Sequence, residues 1–339
     1  MEKLIITVAL GGAEVARRFN PNVPTTAEQL AQAAYDAYCA GASIVHLHVY
    51  DDAGQPTEDL GLFQKAVDLI HEKCPLIIEG STGGGRADFS PEQRSRSIEA
   101  CGVELGTLNM GSVNFFGRPF INAPQDLEFW AKKMKRLGVK PTLMIFEVGM
   151  VRTAERMVEA GLLDPPLYFD LVMNAEGAIP GTAKNLLHLV ECLPSGSQWS
   201  VNAFTPESQL CMTTMAILMG GHVRVGFEDN MYYTPGVLAS NNTVFVERVT
   251  RLAKEIGRDI ASPEEAREIL RIPPRVQYNE TEGDTSASCQ SMGGKGNTRA
   301  GAVRAHHSDP SCTGPEWRAG VDVLQRVDLP TQPDRLAHP

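Results

Sequence analysis

The sequence predicts an α/β protein built as a (β/α)8 TIM barrel, followed by an atypical C-terminal extension. Eight short runs of β-branched and aliphatic residues alternate with longer amphipathic segments over about the first 260 residues. The length of 339 residues leaves room for such a barrel, which takes about 250 residues. Eight strand–helix pairs in this span fit a closed barrel better than an open doubly wound sheet.

The candidate strands follow one another along the chain and are separated by helix-start signals. At these starts a hydroxyl side chain caps the first turn, and in two of the three a proline takes the first helical position. The starts are Thr25–Glu28, Ser90–Glu92 and Thr205–Glu207. The predicted strands are Leu4–Leu10, Ser43–Val49, Leu76–Gly80, Leu105–Met110, Pro141–Phe146, Tyr168–Met173, Gln198–Ala203 and Val223–Phe227.

The composition changes after Ile272. Of the 65 residues from 275 to 339, 19 are hydrophobic, and the segment shows neither helical nor strand periodicity. Such a composition favours a disordered or weakly structured extension. We therefore expect two parts, the barrel over residues 1–272 and a low-complexity or disordered tail over residues 273–339.

The charge balance limits the classes of partner. The chain has 31 Lys+Arg and 41 Asp+Glu residues, a net charge of −10, which disfavours a nucleic-acid partner. No stretch approaches the 18 or so apolar residues of a membrane span, and the amino terminus passes almost directly into the first strand. We expect a cytoplasmic protein with neither a nucleic-acid nor a membrane partner.

The sharpest local feature is the pair His46 and His48 at the end of the second predicted strand. Side chains two residues apart on a strand point to the same face, so the two imidazoles can bind one ion. A buried histidine is often only structural, but the carboxyl end of a barrel strand is where active sites lie. The pair therefore predicts a metal site.

A third metal ligand is available at the end of the eighth predicted strand, where Glu228 and Asp229 follow one another. In a closed barrel this strand lies beside the first and close to the second, so Glu228 can reach the histidines. Two histidines and a glutamate with an open position form a catalytic zinc arrangement. The alternative is an acidic pair that stabilises a helix amino terminus.

Arg224 and Glu147 are charged residues at strand ends that also need an explanation. An inward arginine below a carboxylate cluster requires an acidic partner. Glu147, after the fifth predicted strand, is one candidate partner, although it can equally be a simple helix-start carboxylate.

The loop Ser81–Arg86 follows the third predicted strand and has the composition of an anion site. Its consecutive glycines let backbone N–H groups converge, and the hydroxyls of Ser81 and Thr82 add donors. The loop matches neither a Walker A motif nor a dinucleotide fingerprint, and a glycine-rich turn is often only a turn. Anion binding and a plain turn both remain open.

Taken together, these motifs resemble the β-keto acid cleavage enzymes, and the resemblance extends from about Leu4 to Ile272. The segments that carry it are Gly12–Glu14, Pro21–Pro24, Val45–His48, Ser81–Gly84, Thr107–Asn109, Phe115, Phe120–Asn122, Gly220–Asn230 and Ala253–Arg258. The family chain ends near residue 272, so residues 273–339 have no counterpart in it, and we expect them not to alter the chemistry.

The resemblance implies roles for individual residues. It implies that His46, His48 and Glu228 bind Zn2+. The substrate carboxylate would be bound by Ser81 or Thr82, with Gly84 and Thr107, and Glu14 would receive a substrate ammonium group. The resemblance further implies that Asp229 and Arg224, supported by Glu147, form the general-base machinery.

The resemblance also implies the reaction and the assembly. A β-keto acid, with 3-keto-5-aminohexanoate as the expected substrate, would react with acetyl-CoA to give acetoacetate and a new acyl-CoA by a Claisen and retro-Claisen route. A homo-oligomer, expected to be a tetramer, would carry out this step of lysine fermentation. Three alternatives stay open: a member of the same family that acts on another β-keto acid, an amidohydrolase-type metallohydrolase, and a non-catalytic barrel that binds a metal or a CoA ester.

Overall fold

The computed structural model describes residues 1–12, 19–83, 89–115 and 117–273. Two of the predicted site residues, Glu14 and Gly84, lie outside the described residues. The predicted disorder of the extension also falls outside them, apart from its first residue.

The predicted barrel is confirmed. Eight parallel strands, β1 to β8, close into a barrel in which each strand pairs with the next along the chain and β8 pairs with β1. Their side chains alternate between the barrel interior and the surrounding helices, which makes every strand largely buried. The strands are Ile6–Ala9, Ile44–His46, Ile77–Gly80, Val103–Asn109, Lys140–Ile145, Tyr168–Met173, Gln198–Ala203 and His222–Val225.

Two strands end two or more residues earlier than predicted, and both carry site residues. Strand β2 ends at His46, so His48 lies in the following segment and not on the strand. Strand β8 ends at Val225 because Gly226 adopts a φ of 143°, which only glycine accepts readily. Glu228 therefore lies in the turn beyond the strand and not on the strand itself.

Nine α-helices, α1 to α9, are present in the described part of the chain. The predicted starts are confirmed, since the side chains of Thr26, Ser90 and Thr205 accept hydrogen bonds from the first turns of α1, α3 and α7. The helices are Ala27–Ala40, Leu60–His71, Pro91–Arg94, Pro124–Leu137, Gly149–Glu159, Ala183–Glu191, Pro206–Met219, Thr243–Ile256 and Pro263–Leu270. No helix within these described ranges is long and apolar enough to cross a membrane.

One end of the barrel is closed by helix α9. Its residues Ala266 and Leu270 form an apolar cluster with side chains near the starts of the strands, including Ile44 and Ile77. The other end carries three short antiparallel hairpins, formed by Val49–Tyr50 with Pro56–Thr57, Val113–Phe115 with Arg118–Phe120, and Tyr232–Thr234 with Val237–Leu238. Access to the barrel is therefore from the carboxyl ends of the strands, where barrel enzymes place their sites.

Candidate active site

A cavity of about 810 Å³, including its open mouth, lies at the carboxyl ends of the strands. Polar groups occupy one part of its wall and phenylalanines another. Its lining residues are Gly12, His46, His48, Ser81, Gly83, Thr107, Asn109, Phe115, Arg118, Phe120, Met144, Phe146, Val172, Asn202, Phe204, Arg224 and Glu228. All eight strands or their following segments contribute to this wall, as well as one hairpin.

The structure brings the three predicted metal ligands together. One ligand atom each of His46, His48 and Glu228 lies within 4.8 Å of the other two. The Nε2 atoms of the two imidazoles are 3.2 Å apart, and Nε2 of His46 is 3.4 Å from Oε2 of Glu228. This Oε2 atom is buried and has no hydrogen-bond partner among the described residues. The donor set fits a divalent cation such as zinc, which would satisfy that oxygen.

The protonation of the histidines suits metal binding. Burial lowers the pKa of both His46 and His48, against the opposite influence of Glu228, so both rings are neutral at neutral pH. The Nδ1 atom of His46 lies 2.8 Å from a carboxylate oxygen of Glu79, which itself accepts a hydrogen bond from Thr142. Donation from Nδ1 leaves a lone pair on Nε2, the atom that faces Glu228.

Close packing by a glycine fixes the position of Glu228. A Cβ atom at Gly12 would lie 2.5 Å from Cγ of Glu228, so the backbone after β1 approaches the glutamate more closely than any other residue permits. The hydroxyl of Tyr50 donates to the carbonyl of Gly12 and holds this segment in place. The glycine is therefore needed for the geometry of the metal cluster.

Arg224 joins the metal cluster to Asp229. Its Nε and Nη2 atoms donate to the two oxygens of Asp229 at 3.1 and 2.9 Å, and Nη2 is also 2.9 Å from Oε1 of Glu228. Burial raises the pKa of Asp229 to about 7, although the guanidinium favours its charged form. Burial acts to raise the pKa of Glu228 as well, but the opposing effects of Arg224, His46 and His48 together bring it below its ordinary value. Arg224 and Glu228 line the cavity, whereas the Asp229 side chain is fully buried and is not part of the described wall.

The described part of the glycine-rich loop forms a network with strand β4. The Thr82 hydroxyl donates to the carbonyl of Thr107 at 2.7 Å, and the Thr107 hydroxyl donates to Oγ of Ser81 at 3.4 Å. The N–H of Gly83 also donates to Oγ of Ser81, at 2.9 Å. Because Ser81 accepts both bonds, its own proton is available to a ligand in the cavity.

Phenylalanine rings form the apolar part of the wall. The ring of Phe115 lies 6.3, 6.0 and 5.8 Å from the rings of Phe120, Phe146 and Phe204, the last two in edge-to-face contact. Phe115 and Phe120 belong to one hairpin, whereas Phe146 follows β5 and Phe204 follows β7.

The structure does not bring Glu147 to Arg224. Its side chain is exposed in the segment between β5 and α5, and the carboxylates that contact Arg224 are Asp229 and Glu228. The predicted support of Arg224 by Glu147 therefore has no counterpart in the described contacts.

Sequence reasoning missed two buried acids in the barrel, Glu79 and Asp170. Glu79 contacts His46, and Asp170 accepts hydrogen bonds from Ser200 and from the amide of Asn202. A signal was present, because each of the two acids interrupts an otherwise apolar strand at an inward position.

Comparison with known proteins places these observations in a family. Over 273 residues the chain is 44% identical to the 3-keto-5-aminohexanoate cleavage enzyme of Fusobacterium nucleatum, which spans 80% of this chain and 99% of that protein. The enzyme of the same name from Acetoanaerobium sticklandii is also 44% identical, with the same two coverages. The 3-oxoadipate:acetyl-CoA acetyltransferase of Cupriavidus necator is 32% identical over 272 residues, 79% of this chain and 95% of that protein.

The fold has counterparts among solved structures. The apo structure of ObcA superimposes with a TM-score of 0.64 at 20% identity, covering 75% of this chain and 66% of that one, which supports the barrel fold alone. Residues 3–272, the barrel that carries the site, match the sequence profile of the beta-keto acid cleavage enzymes, and the chain belongs to that family.

Proposed function

We propose that this enzyme is a zinc-dependent acyltransferase that condenses a β-keto acid, 3-keto-5-aminohexanoate, with acetyl-CoA. The observation that carries the proposal is the cluster of His46, His48 and Glu228 on a cavity that also presents hydroxyl donors and Arg224. The two relatives at 44% identity, both named for cleavage of this amino acid derivative, support the choice of substrate.

The residues present fit a zinc ion. His46, His48 and Glu228 would hold it, and the unpartnered Oε2 atom of Glu228 supports a ligand at that point. When bound, the ion supplies Lewis-acid polarisation of the substrate's keto oxygen, which makes the neighbouring carbon more acidic.

The turn after β3 would bind the substrate carboxylate. The hydroxyls of Ser81 and Thr107 face the cavity, and the side chain of Thr82 fixes the turn to β4. The roles of Gly84 in this subsite and of Glu14 in binding the substrate ammonium rest on the family resemblance. Carboxylate recognition at one end and the phenylalanine wall at the other would orient an extended β-keto acid.

Asp229 is the proposed general base, and Arg224 holds its carboxylate through two hydrogen bonds. Because the Asp229 side chain does not line the described cavity, proton transfer to it requires a bridging water or a displacement of the Arg224 side chain. Glu147, exposed in the structure, would act on the same pair only after a rearrangement of the segment that follows β5.

The reaction balances without a further reactant. The base removes a proton from the carbon between carboxylate and ketone, and the carbanion attacks the thioester carbonyl, which releases CoA as thiolate. The thiolate then attacks the substrate's keto carbon, and the bond between that carbon and its former carbanion breaks. The products are acetoacetate and 3-aminobutyryl-CoA, and a proton returns to the acetoacetate carbon.

The proposal also includes the metabolic process, the compartment and the assembly in which the enzyme acts. Lysine fermentation is the process in which such an amino β-keto acid would be consumed. We propose a cytoplasmic homo-oligomer, with a tetramer as the expected assembly.

The test is release of acetoacetate by the purified, zinc-loaded protein given acetyl-CoA and a panel of β-keto acids. We expect CoA-dependent turnover that His46→Ala abolishes, whereas His188→Ala, at an exposed position on α6, leaves it unchanged. Glu14→Gln should impair the amino substrate selectively. Preference for a neutral β-keto acid, unaffected by Glu14→Gln, would contradict the substrate. Absence of turnover with every β-keto acid in a folded, zinc-bound sample would contradict the transferase and favour a hydrolase or a non-catalytic barrel.

A further inference from the structure

Arg94, the last residue of α3, is a buried cation without an ion-pair partner among the described residues. Only 8% of its surface is exposed. Its guanidinium donates to three neutral acceptors: the carbonyl of Thr82 at 2.9 Å, the carbonyl of Ile121 at 2.7 Å and Oδ1 of Asn122 at 2.6 Å. Burial lowers its pKa to about 10, against smaller opposite contributions from the acids Asp126 and Glu58, so the group stays charged at neutral pH. Burying an unpaired charge is costly, and this position therefore needs a reason.

Aromatic rings hold the guanidinium in one position. Its central carbon lies 5.0 Å from the ring centre of Phe120 and 4.5 Å from that of Trp130. The indole N–H of Trp130 donates to the carbonyl of Pro91, which fixes that ring relative to α3. Arg94 thus ties the turn after β3 to the hairpin that carries part of the phenylalanine wall.

The bond from Arg94 to Thr82 reaches the cavity through one peptide unit. The carbonyl of Thr82 and the N–H of Gly83 belong to the same peptide, and that N–H donates to Oγ of Ser81. Hydrogen bonds in such a chain polarise one another, and a charged first donor strengthens the effect. The chain ends at the Ser81 hydroxyl, which lines the cavity and has no described acceptor for its own proton.

We propose that Arg94 is a positioning residue for carboxylate recognition, acting through the Thr82–Gly83 peptide on the Ser81 hydroxyl. Its buried charge makes that hydroxyl a stronger donor and adds a favourable field for an anion at the turn. The inference rests on the proposed function, in which the β-keto acid's carboxylate binds at this turn.

Binding without turnover tests this role. The zinc-loaded full-length protein is titrated calorimetrically with acetoacetate, the product β-keto acid, and with its uncharged analogue methyl acetoacetate, both in the absence of CoA. We expect Arg94→Met to weaken acetoacetate binding by about 10-fold or more and to change ester binding by less than about threefold. Arg94→Lys, which keeps the charge, should weaken acetoacetate binding less than Arg94→Met does.

A double-mutant cycle with Ser81 separates transmission through the peptide from general packing. In the Ser81→Ala background, Arg94→Met should cost much less acetoacetate affinity than in the wild type. Equal losses for acetoacetate and its ester, or equal costs in both backgrounds, would overturn the inference.

The number of binding sites and the binding by the wild type separate a folding defect, or a failure of the proposed function, from a failure of the inference. A fall in the number of binding sites reports misfolded protein, whereas the inference concerns the affinity of the folded sites. If Arg94→Met does not fold, Arg94→Gln, which also removes the charge, replaces it in the same comparisons. Failure of the wild type to bind acetoacetate would instead count against the proposed function.

Discussion

Nδ1 of His46 lies 2.8 Å from a carboxylate oxygen of Glu79. The buried Glu79 side chain therefore supports His46, a candidate metal ligand. The second oxygen of Glu79 accepts a hydrogen bond from Thr142 at 2.5 Å, so both carboxylate oxygens are satisfied. The two residues are paired neighbours on β2 and β3, and the register of the barrel brings them together. A carboxylate in this position fixes the tautomer and the ring orientation of the histidine.

Glu79→Gln should therefore weaken zinc binding without dismantling the ligand set. A neutral amide stabilises the donating imidazole less well, and we expect a loss of about 10- to 100-fold in zinc affinity. The measurement is a competition titration with a chelator of known affinity. Thr142→Val, which removes only the outer contact, is the matched control and should have a smaller effect. Unchanged zinc affinity in Glu79→Gln would show that His46 is oriented by its packing alone.

The barrel was predictable because its strands are encoded locally. Each strand is a short apolar run, and the carboxyl ends of parallel strands necessarily meet at one rim, so His46 and Glu228 could be placed together across the sequence. The details at strand ends were not predictable in this way. Glu228 comes to Arg224 through a turn that Gly226 permits, because a Cβ atom there would lie 2.1 Å from the carbonyl oxygen of Ala9.

The residues that sequence reasoning missed act through contacts between distant parts of the chain. Arg94 lies in a short helix, and its importance depends on acceptors at Thr82 and Asn122 that no spacing rule connects to it. Glu147 illustrates the converse, since this acid at a strand end is a candidate partner of Arg224 by sequence but is exposed in the structure. The sequence thus predicts that polar residues lie at the rim of the barrel, whereas the partner of each one depends on loop conformation.

Gly12→Ala tests the close approach of the β1 segment to the metal cluster. The added methyl group would lie 2.5 Å from Cγ and 3.0 Å from Cδ of Glu228, so the carboxylate must move. We expect a loss of about 10-fold or more in zinc affinity, with a parallel fall in kcat/KM. Gly149→Ala is the matched control, because nothing lies within 4 Å of a Cβ atom there. Equal behaviour of the two variants would mean that Glu228 adapts freely.

Removal of the residues after Pro273 tests whether the extension contributes to the site. The family match ends at residue 272, and all proposed site residues precede that point. We expect kcat/KM of the shortened protein to stay within about twofold of the full chain. A loss of tenfold or more, with zinc content unchanged, would assign the extension a role in catalysis. Light scattering on both proteins would report whether the expected tetramer forms and whether it depends on the extension.

His222 should make the barrel sensitive to acid, independently of the metal cluster. It is fully buried near the start of β8, where the N–H of Ile5 donates to its Nδ1 atom and the side chain of Gln198 lies 3.3 Å from Nε2. Burial, with a smaller contribution from the charge of Arg258, lowers its pKa from 6.5 to about 3. As the pH falls below 6.5 the unfolded chain takes up the proton first, so the free energy of unfolding decreases until about pH 3.

His222→Gln keeps an acceptor for Ile5 but cannot be protonated. Between pH 6 and 4 its unfolding free energy should fall less steeply than that of the wild type, by at most about 1.4 kcal/mol per pH unit. The measurement is chemical denaturation at several pH values. His188→Gln, at the exposed position on α6, should keep the pH dependence of the wild type. Identical slopes for His222→Gln and the wild type would mean that burial does not lower the pKa of His222 in the folded barrel.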